Sequence, residues 1–246
     1  MAKNQLSERD YLQSYNIHNY DVPLTSVDIT IFTVLDNALN VLLVKRAQHP
    51  ALGKWALPGG FIDLKKDRTL EHTAQRKLKE KTGVRTSYLE QVASFGSKQR
   101  DPRGWSVTVA YFALIDAAEI QLTHDERSEE VAWVPVKKVL NSTKLAFDHN
   151  AILERCYERL QGKVQYTSLP VNLLPEEFTL SELQSTFEII LDSTIEKKSF
   201  RRRILDADIL QETGNMRTGS NRPAKLYRVQ NQGENFMFSR NIEGPR

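Results

Sequence analysis

The 246-residue chain has one cysteine, Cys156, so no disulfide can form within it and a reducing cytosol is its natural compartment. It lacks any uninterrupted apolar run as long as a membrane span requires. Met1 to Asp21 is polar, carries Glu8, Arg9, Asp10 and Asp21, and has no apolar core of the signal-peptide kind. A strong charge of either sign is missing too. The formal net charge is only +3, so nucleic-acid binding has to be argued from where the basic residues cluster. These absences point to a cytoplasmic protein with no membrane partner. What is present is 40% hydrophobic residues, enough to bury real cores, in a length that suits two ordinary domains better than one large one.

Along the chain, Val27, Ile29 and Ile31 alternate with Asp28 and Thr30, the period of a strand with one buried face; Asp36-Asn37 turns it back into a second strand, Val41 to Val44. Arg46 and the His49-Pro50 break follow. By default Arg46 is a surface charge closing a strand, but it lies one loop before a glycine turn and within reach of a phosphate there. Trp55 is, on general grounds, a core or rim aromatic more often than a platform for a base. Pro58-Gly59-Gly60 makes a tight turn in which glycine lets backbone approach a ligand. Leu70, Ala74 and Leu78 then recur every four residues as the buried stripe of a helix that Gly83 closes.

Leu52 to Val84 resembles the Nudix box. Counting back from Gly83 puts Arg76 on the box arginine, Lys77, Glu80 and Lys81 on its three glutamates and Arg68 on an earlier glutamate; Gly60 lies two residues upstream of the pattern's glycine. In the family, glutamates at i, i+3 and i+4 share one helix face and converge on divalent cations that neutralise a pyrophosphate and activate water. Here that face reads Lys77, Glu80, Lys81, which repels Mg²⁺. The resemblance therefore implies a Nudix α/β/α sandwich with a mixed sheet that binds a nucleoside diphosphate derivative without hydrolysing it, with no catalytic or metal-ligating residues and no required cofactor. Nudix proteins of the ADP-ribose class often place aromatics near the adenine, which raises Trp55 and Phe95 as candidates. Arg100-Asp101-Pro102-Arg103-Gly104, between strands Tyr88 to Phe95 and Ser106 to Ile115, resembles a loop of that class. Its arginines are fork-shaped donors for a pyrophosphate, and Asp101 could hold one of them in place. The candidate ligand residues are Arg46, Trp55, Gly59, Gly60, Phe95, Arg100 and Arg103.

Val131-Ala-Trp-Val134 makes a last strand. Asp148 is a fitting N-cap for a helix whose stripe, Leu153, Cys156, Tyr157 and Leu160, runs to Gly162, with Cys156 a packed core thiol. Lys163 to Pro175 reads as an irregular connector. The expected domains are 1–147 and 148–246. Thr179 and Glu182 form a capping box, with Phe178 stapling onto Leu183, and open a helix striped by Leu180, Leu183, Phe187, Ile190 and Leu191. After Asp192-Ser193-Thr194 a second helix, Ile195 to Leu205, sets Phe200 and Ile204 opposite Lys198, Arg201 and Arg202; Leu205 falls with the basic group, against the pattern. Gly214 and the stretch Arg217 to Val229 suggest a wing. From Lys197 to Arg228 nine Lys or Arg face three acidic residues, a local excess of six. Charge runs are usually solvated faces, but this one coincides with a winged helix-turn-helix pattern, which favours DNA.

The combination resembles the Nudix-related transcriptional regulators of NAD metabolism, the NrtR family, over about Val22 to Val229. The resemblance implies a homodimeric repressor of NAD biosynthesis or salvage genes that binds palindromic operator DNA. ADP-ribose or a related NAD metabolite in the Nudix pocket would release it. It implies DNA contacts from Thr179, Lys198, Arg201, Arg202 and Arg203 and, from the wing, Arg217, Asn221 and Lys225. Two alternatives differ in class: a weak Nudix hydrolase of ADP-ribose-like substrates with an accessory basic domain, using Glu80 and one Mg²⁺, and an RNA-associated or protein-docking module.

Overall fold

The computed structural model describes residues 7–83, 88–119, 128–218, 223–230, 236–238 and 242. At its centre β1 (Leu24–Leu35) runs antiparallel to β2 (Ala38–Arg46) and parallel to β6 (Ser106–Leu114), and β6 pairs antiparallel with β5 (Tyr88–Ser97). The β1–β2 turn is Asp36-Asn37, both with positive φ, as a two-residue hairpin of this twist demands. Short strands β3 (Trp55–Ala56) and β4 (Gly59–Phe61) pair with β2 and β1, and β7 (Ser128–Pro135) pairs with β2, completing a seven-stranded mixed sheet.

Helices cover both faces. On one, α2 (Leu70–Thr82) packs Ala74 and Leu78 against Val27, Ile29 and Ile31. On the other, α4 (His149–Val164) packs Ile152, Leu153, Cys156 and Leu160 against Phe32, Phe112 and Leu114. This corrects the expectation of a β1 with one buried face: Val27 through Thr33 are all buried, and Asp28 and Thr30, which looked like the solvent side, lie under the α4 layer. The C-terminal end of α2 is as expected, and the structure adds its N-cap. Thr69 accepts the His72 amide, and Gly83, at φ 73, closes the helix in the left-handed region. Two helices had no signal in the sequence, α1 (Glu8–Ser14) and α3 (Val136–Ser142).

Cys156 is fully buried, donates to the Tyr111 carbonyl, and burial pushes its thiol pKa up to about 11. Its reaction with an aqueous thiol reagent is expected to follow global unfolding, with a denaturant dependence matching that of the far-UV signal. Rapid labelling in native buffer would contradict that burial.

The C-terminal unit is α5 (Leu180–Leu191), α6 (Lys197–Asp206) and a hairpin of β8 (Leu210–Arg217) and β9 (Ala224–Val229). The capping box is present in both directions: Glu182 donates its amide to the Thr179 hydroxyl and accepts the Thr179 amide. Phe187 and Phe200 meet edge to face at 5.3 Å, clamping α6 on α5. Phe178 exchanges both backbone hydrogen bonds with Tyr227, so the residue before α5 extends the hairpin. Three expectations shift. The second helix starts at Lys197, where the Glu196 carboxylate accepts the Lys198 and Ser199 amides; Gly214, at φ 82, sits in a bulge within β8, so the strand of the wing begins before it; and Lys163 to Pro175 is a packed connector with Leu169 and Leu173 buried. Leu205, which fits no packing face, is exposed.

The expected boundary at 147/148 hands α4 to the second unit, yet α4 packs on β1, β5 and β6 as well as on α5. One buried cluster joins Phe112 and Leu114 of the sheet through Leu153 and Leu160 to Leu183, Phe187 and Phe200. The helix is common to both units.

Candidate ligand cavity and nucleic-acid interface

A cavity of about 340 Å³ opens beside the edge of the sheet where β4 lies on β1. Its back depends on Gly59. A Cβ there would fall 2.3 Å from the Asp28 carboxylate and 2.4 Å from the Val27 carbonyl, so only glycine lets β4 pair this closely with β1. Gly59→Ala is expected to lower the unfolding free energy by more than about 2 kcal/mol, read by denaturant titration, since backbone has to move. Gly60 is overlain by the Lys77 side chain, whose Cε would lie 3.1 Å from an added Cβ.

Two lysines of α2 form the cavity's cationic wall. Lys77 and Lys81 both line it; Lys81 is buried, and Lys77 pairs with Glu80 at 2.8 Å. The other Glu80 oxygen accepts from Arg76 at 2.9 Å. Arg76 is held chiefly by Asp67, through Nε at 2.8 Å and Nη2 at 2.5 Å, with the Thr73 hydroxyl and the Asp63 amide completing the carboxylate's shell. The Arg76 hydrogen bonds hold the Asp67 carboxyl well below the usual carboxylate range. Its folded pKa being the lower one, Asp67 contributes stability above the ordinary value near 4 and loses it as pH falls through the folded value. Melting of the wild type is expected to fall between about pH 5 and pH 2, and Asp67→Asn to show a shallower acid slope from a less stable start. Parallel slopes would remove Asp67 from the account.

The opposite wall comes from the Arg100 to Gly104 loop and from the start of α4. Arg100 is almost fully buried; it forks onto Asp148 with Nε and Nη2 each at 3.0 Å, and reaches Asp28 at 3.5 Å. Asp148 stands at the N-cap position as expected, but its carboxylate makes no cap bond. Asp101 does hold an arginine in place, and it is Arg103, at 2.7 Å, whose guanidinium lies 5.0 Å over the Phe61 ring. Arg46 donates to the Pro50 carbonyl and lies 4.9 Å over Phe147; burial, then the neighbouring Arg103 charge, push its pKa down. His149 is enclosed, accepts the Leu57 amide on Nδ1, and is lowered in pKa by that burial; its ring proton therefore rests on Nε2, 3.8 Å from Asp28.

Among the lining residues Arg46, Lys77, Lys81, Arg100 and Arg103 stand against Asp28 and Asp101, and with Glu80 and Asp148, which pair with Lys77 and Arg100 from behind the wall, five cations face four anions, an excess of one. A compact dianion is the ligand such a wall favours. Among the described residues no three His, Cys, Asp or Glu gather as a metal-ligand set.

The structure thus brings together Arg46, Gly59, Gly60, Arg100 and Arg103. Trp55 and Phe95 do not line the cavity: both pack half-buried against the core, and the rings that do face the cavity are Phe61 and Phe147. The sequence reading also passed over Asp28 and His149. A lone carboxylate inside an apolar strand was the available signal for Asp28, and His149 offered none.

On the basic face, Lys198 and Arg202 are exposed and Arg201 and Arg203 half-buried, with Arg201 donating to the Ser181 hydroxyl. Arg217 is drawn back onto α5, donating to Glu182 at 2.6 Å and to the Glu177 carbonyl at 3.2 Å, while Lys225 pairs with Glu212 at 2.9 Å. Thr179 is a correction: buried, with its hydroxyl capping α5, it presents little to a partner. Asn221 lies outside the described residues.

Residues 25–156 match the family profile described as NUDIX domain, and residues 170–229 match that of the NrtR DNA-binding winged helix domain. The chain is 47% identical, over 99% of its own length and 96% of the relative's, to the ADPR responsive transcriptional repressor NtrR of Acinetobacter baylyi. It is similar to the crystal structure of Shewanella oneidensis NrtR complexed with a 27mer DNA, with 46% identity, a TM-score of 0.83, and coverage of 89% of this chain and 99% of that one. It also resembles the Nudix domain of the same Shewanella protein complexed with ADP ribose, at 46% identity and a TM-score of 0.59, over 63% of this chain and 99% of that one.

Proposed function

The chain belongs to the NrtR family, and from that premise we propose that it is a transcriptional repressor of NAD biosynthesis or salvage genes, which binds palindromic operator DNA through its winged helix and is released by ADP-ribose in its Nudix cavity. The observation that carries the ligand half is the cationic wall. Lys77 and Lys81 enter the cavity from the α2 positions where a Nudix enzyme carries glutamates, and they supply the charge that divalent metal would otherwise bring to a diphosphate. Binding without hydrolysis follows from the same substitution: the remaining box carboxylate, Glu80, is already engaged by Arg76 and Lys77.

In this reading Arg46, Lys77, Lys81, Arg100 and Arg103 meet the two phosphates, with backbone at Gly59 and Gly60 allowing close approach. Phe61 and Phe147, each under an arginine, offer ring faces for the nucleoside. Lys198, Arg201, Arg202 and Arg203 on α6 meet DNA, with Arg217 and Lys225 turning outward from their carboxylate partners on contact with phosphate. The protein acts as a homodimer, because two winged helices spaced about 34 Å apart, or a multiple of that, match a palindrome's half-sites and double a small interface.

The test is a gel shift on duplex DNA from upstream of NAD-metabolism genes, titrated with ADP-ribose in EDTA and in Mg²⁺, with the nucleotide analysed afterwards. Specific binding, release by intact ADP-ribose, and equal release in EDTA are expected. Cleaved nucleotide with no duplex bound would replace this reading with that of a hydrolase.

A further inference from the structure

We propose that Asp148 is a positioning residue with two partners, and that its exchange between them carries the ligand signal from the cavity to the winged helix; this rests on the reading of the cavity as a diphosphate site. Its carboxylate forks onto Arg100 at 3.0 Å through both oxygens. Arg100 lines the cavity, and its guanidinium is almost fully buried. A diphosphate entering between Arg100, Lys77 and Lys81 offers that guanidinium a second fork-shaped acceptor of higher charge. Asp148 takes Nε and Nη2, while Nη1 reaches the Ser106 hydroxyl at 3.4 Å, so a diphosphate that engages the Nη1–Nη2 fork competes with Asp148 for Nη2.

Asp148 has somewhere to go. It occupies the N-cap position of α4, where an aspartate accepts amides two and three residues on, yet its side chain makes no such bond. Released from Arg100, the carboxylate can turn onto the Asn150 amide and lie at the positive end of the helix, where the Ala151 amide already donates to the Asp148 carbonyl at 3.0 Å. The two arrangements are discrete, each satisfies the carboxylate, and the ligand favours one of them. That is what a linkage element requires.

The start of α4 is tied to the cavity at one further point, where His149 accepts the Leu57 amide, and Asn150 fastens it to the preceding segment by holding the Leu145 amide and the Thr143 carbonyl. Its far half is tied to the DNA-binding unit. Gln161 donates to the Ile190 carbonyl of α5, and Leu160 shares a buried cluster with Leu183 and Phe187. A change in how the first turn of α4 is held is thus a change in how α5 sits on the sheet, and with it α6.

The experiment uses the full-length protein. ADP-ribose affinity is measured by calorimetry, and affinity for an operator duplex is measured with and without saturating ADP-ribose, for the wild type and Asp148→Asn. Asp148→Asn is expected to bind ADP-ribose as tightly as the wild type or several-fold more tightly, because the competitor for Arg100 is weakened. The factor by which ADP-ribose weakens DNA binding is expected to collapse from about tenfold or more to under about threefold. A merely structural role for Asp148 would lower both affinities together. An unchanged coupling factor overturns the relay while leaving the ligand site intact; a wild type that binds no ADP-ribose overturns the site reading and the relay with it. Should Asp148→Asn fold poorly, hydrogen exchange in the wild type decides: the Asn150 amide is expected to exchange about tenfold more slowly with ADP-ribose bound, and unchanged exchange there overturns the proposal.

Discussion

Replacing both Lys77 and Lys81 with glutamate is expected to reduce ADP-ribose affinity by about 100-fold or more in EDTA, with partial recovery in Mg²⁺. The two ammonium groups line the cavity, and both are largely withdrawn from water. A unit charge about 4 Å from a phosphate is worth about 4 kcal/mol at an effective dielectric of about 20, so a fraction of two reversed pairs already exceeds the roughly 2.8 kcal/mol that 100-fold represents. Recovery with Mg²⁺ follows because the double variant restores carboxylates at i, i+3 and i+4 on α2, beside Glu80. Calorimetry in the two buffers reads the effect, and a melting curve separates it from loss of fold. Affinity unchanged in EDTA would mean that the diphosphate sits elsewhere.

Lys198→Glu combined with Arg202→Glu is expected to cost about 100-fold or more in operator affinity at about 0.1 M salt and to flatten the salt dependence by about two units of log–log slope. These are two of the three exposed cations of α6, Lys197 being the third, and their helix is held to α5 by the buried Phe200 and Ile204, so reversing them alters the outer face alone. ADP-ribose affinity should stay as it was, which separates this surface from the cavity. An unaltered salt slope would move the DNA interface away from α6.

Much of this architecture was legible because it is written in short range. Gly83 closes α2, and Thr179 with Glu182 opens α5; each device spans a few residues and is realised as read. The misreadings concern contacts between distant segments. The alternation in β1 shows two kinds of side chain but not that a helix covers each face, so Asp28 looked like a solvent residue when it faces Arg100 and His149. Arg100 and Asp148 meet across 48 residues, and the N-cap pattern at Asp148 gave no hint that its carboxylate turns to the cavity. Trp55 and Phe95 were assigned by their type and neighbourhood, and neither says which side of the sheet a ring faces. The cavity's aromatic lining, Phe61 and Phe147, comes from the end of β4 and from the turn before α4. α3 passed unseen because its seven residues are too few to display a period.

The shared helix α4 bears on how such a protein can be cut and rejoined. A chimera that transplants the winged helix from residue 165 onward leaves the α5 side chains Leu183 and Ile190 without the layer that shields them, and one spliced at 148 strips the sheet of its cover over Phe112 and Leu114. Either junction creates a sticky apolar face on one of the fragments. The two halves are therefore not interchangeable cassettes: a sensor for a new metabolite grafted onto this DNA reader would have to bring its own version of α4, matched to α5, or be soluble only in the company of the old one.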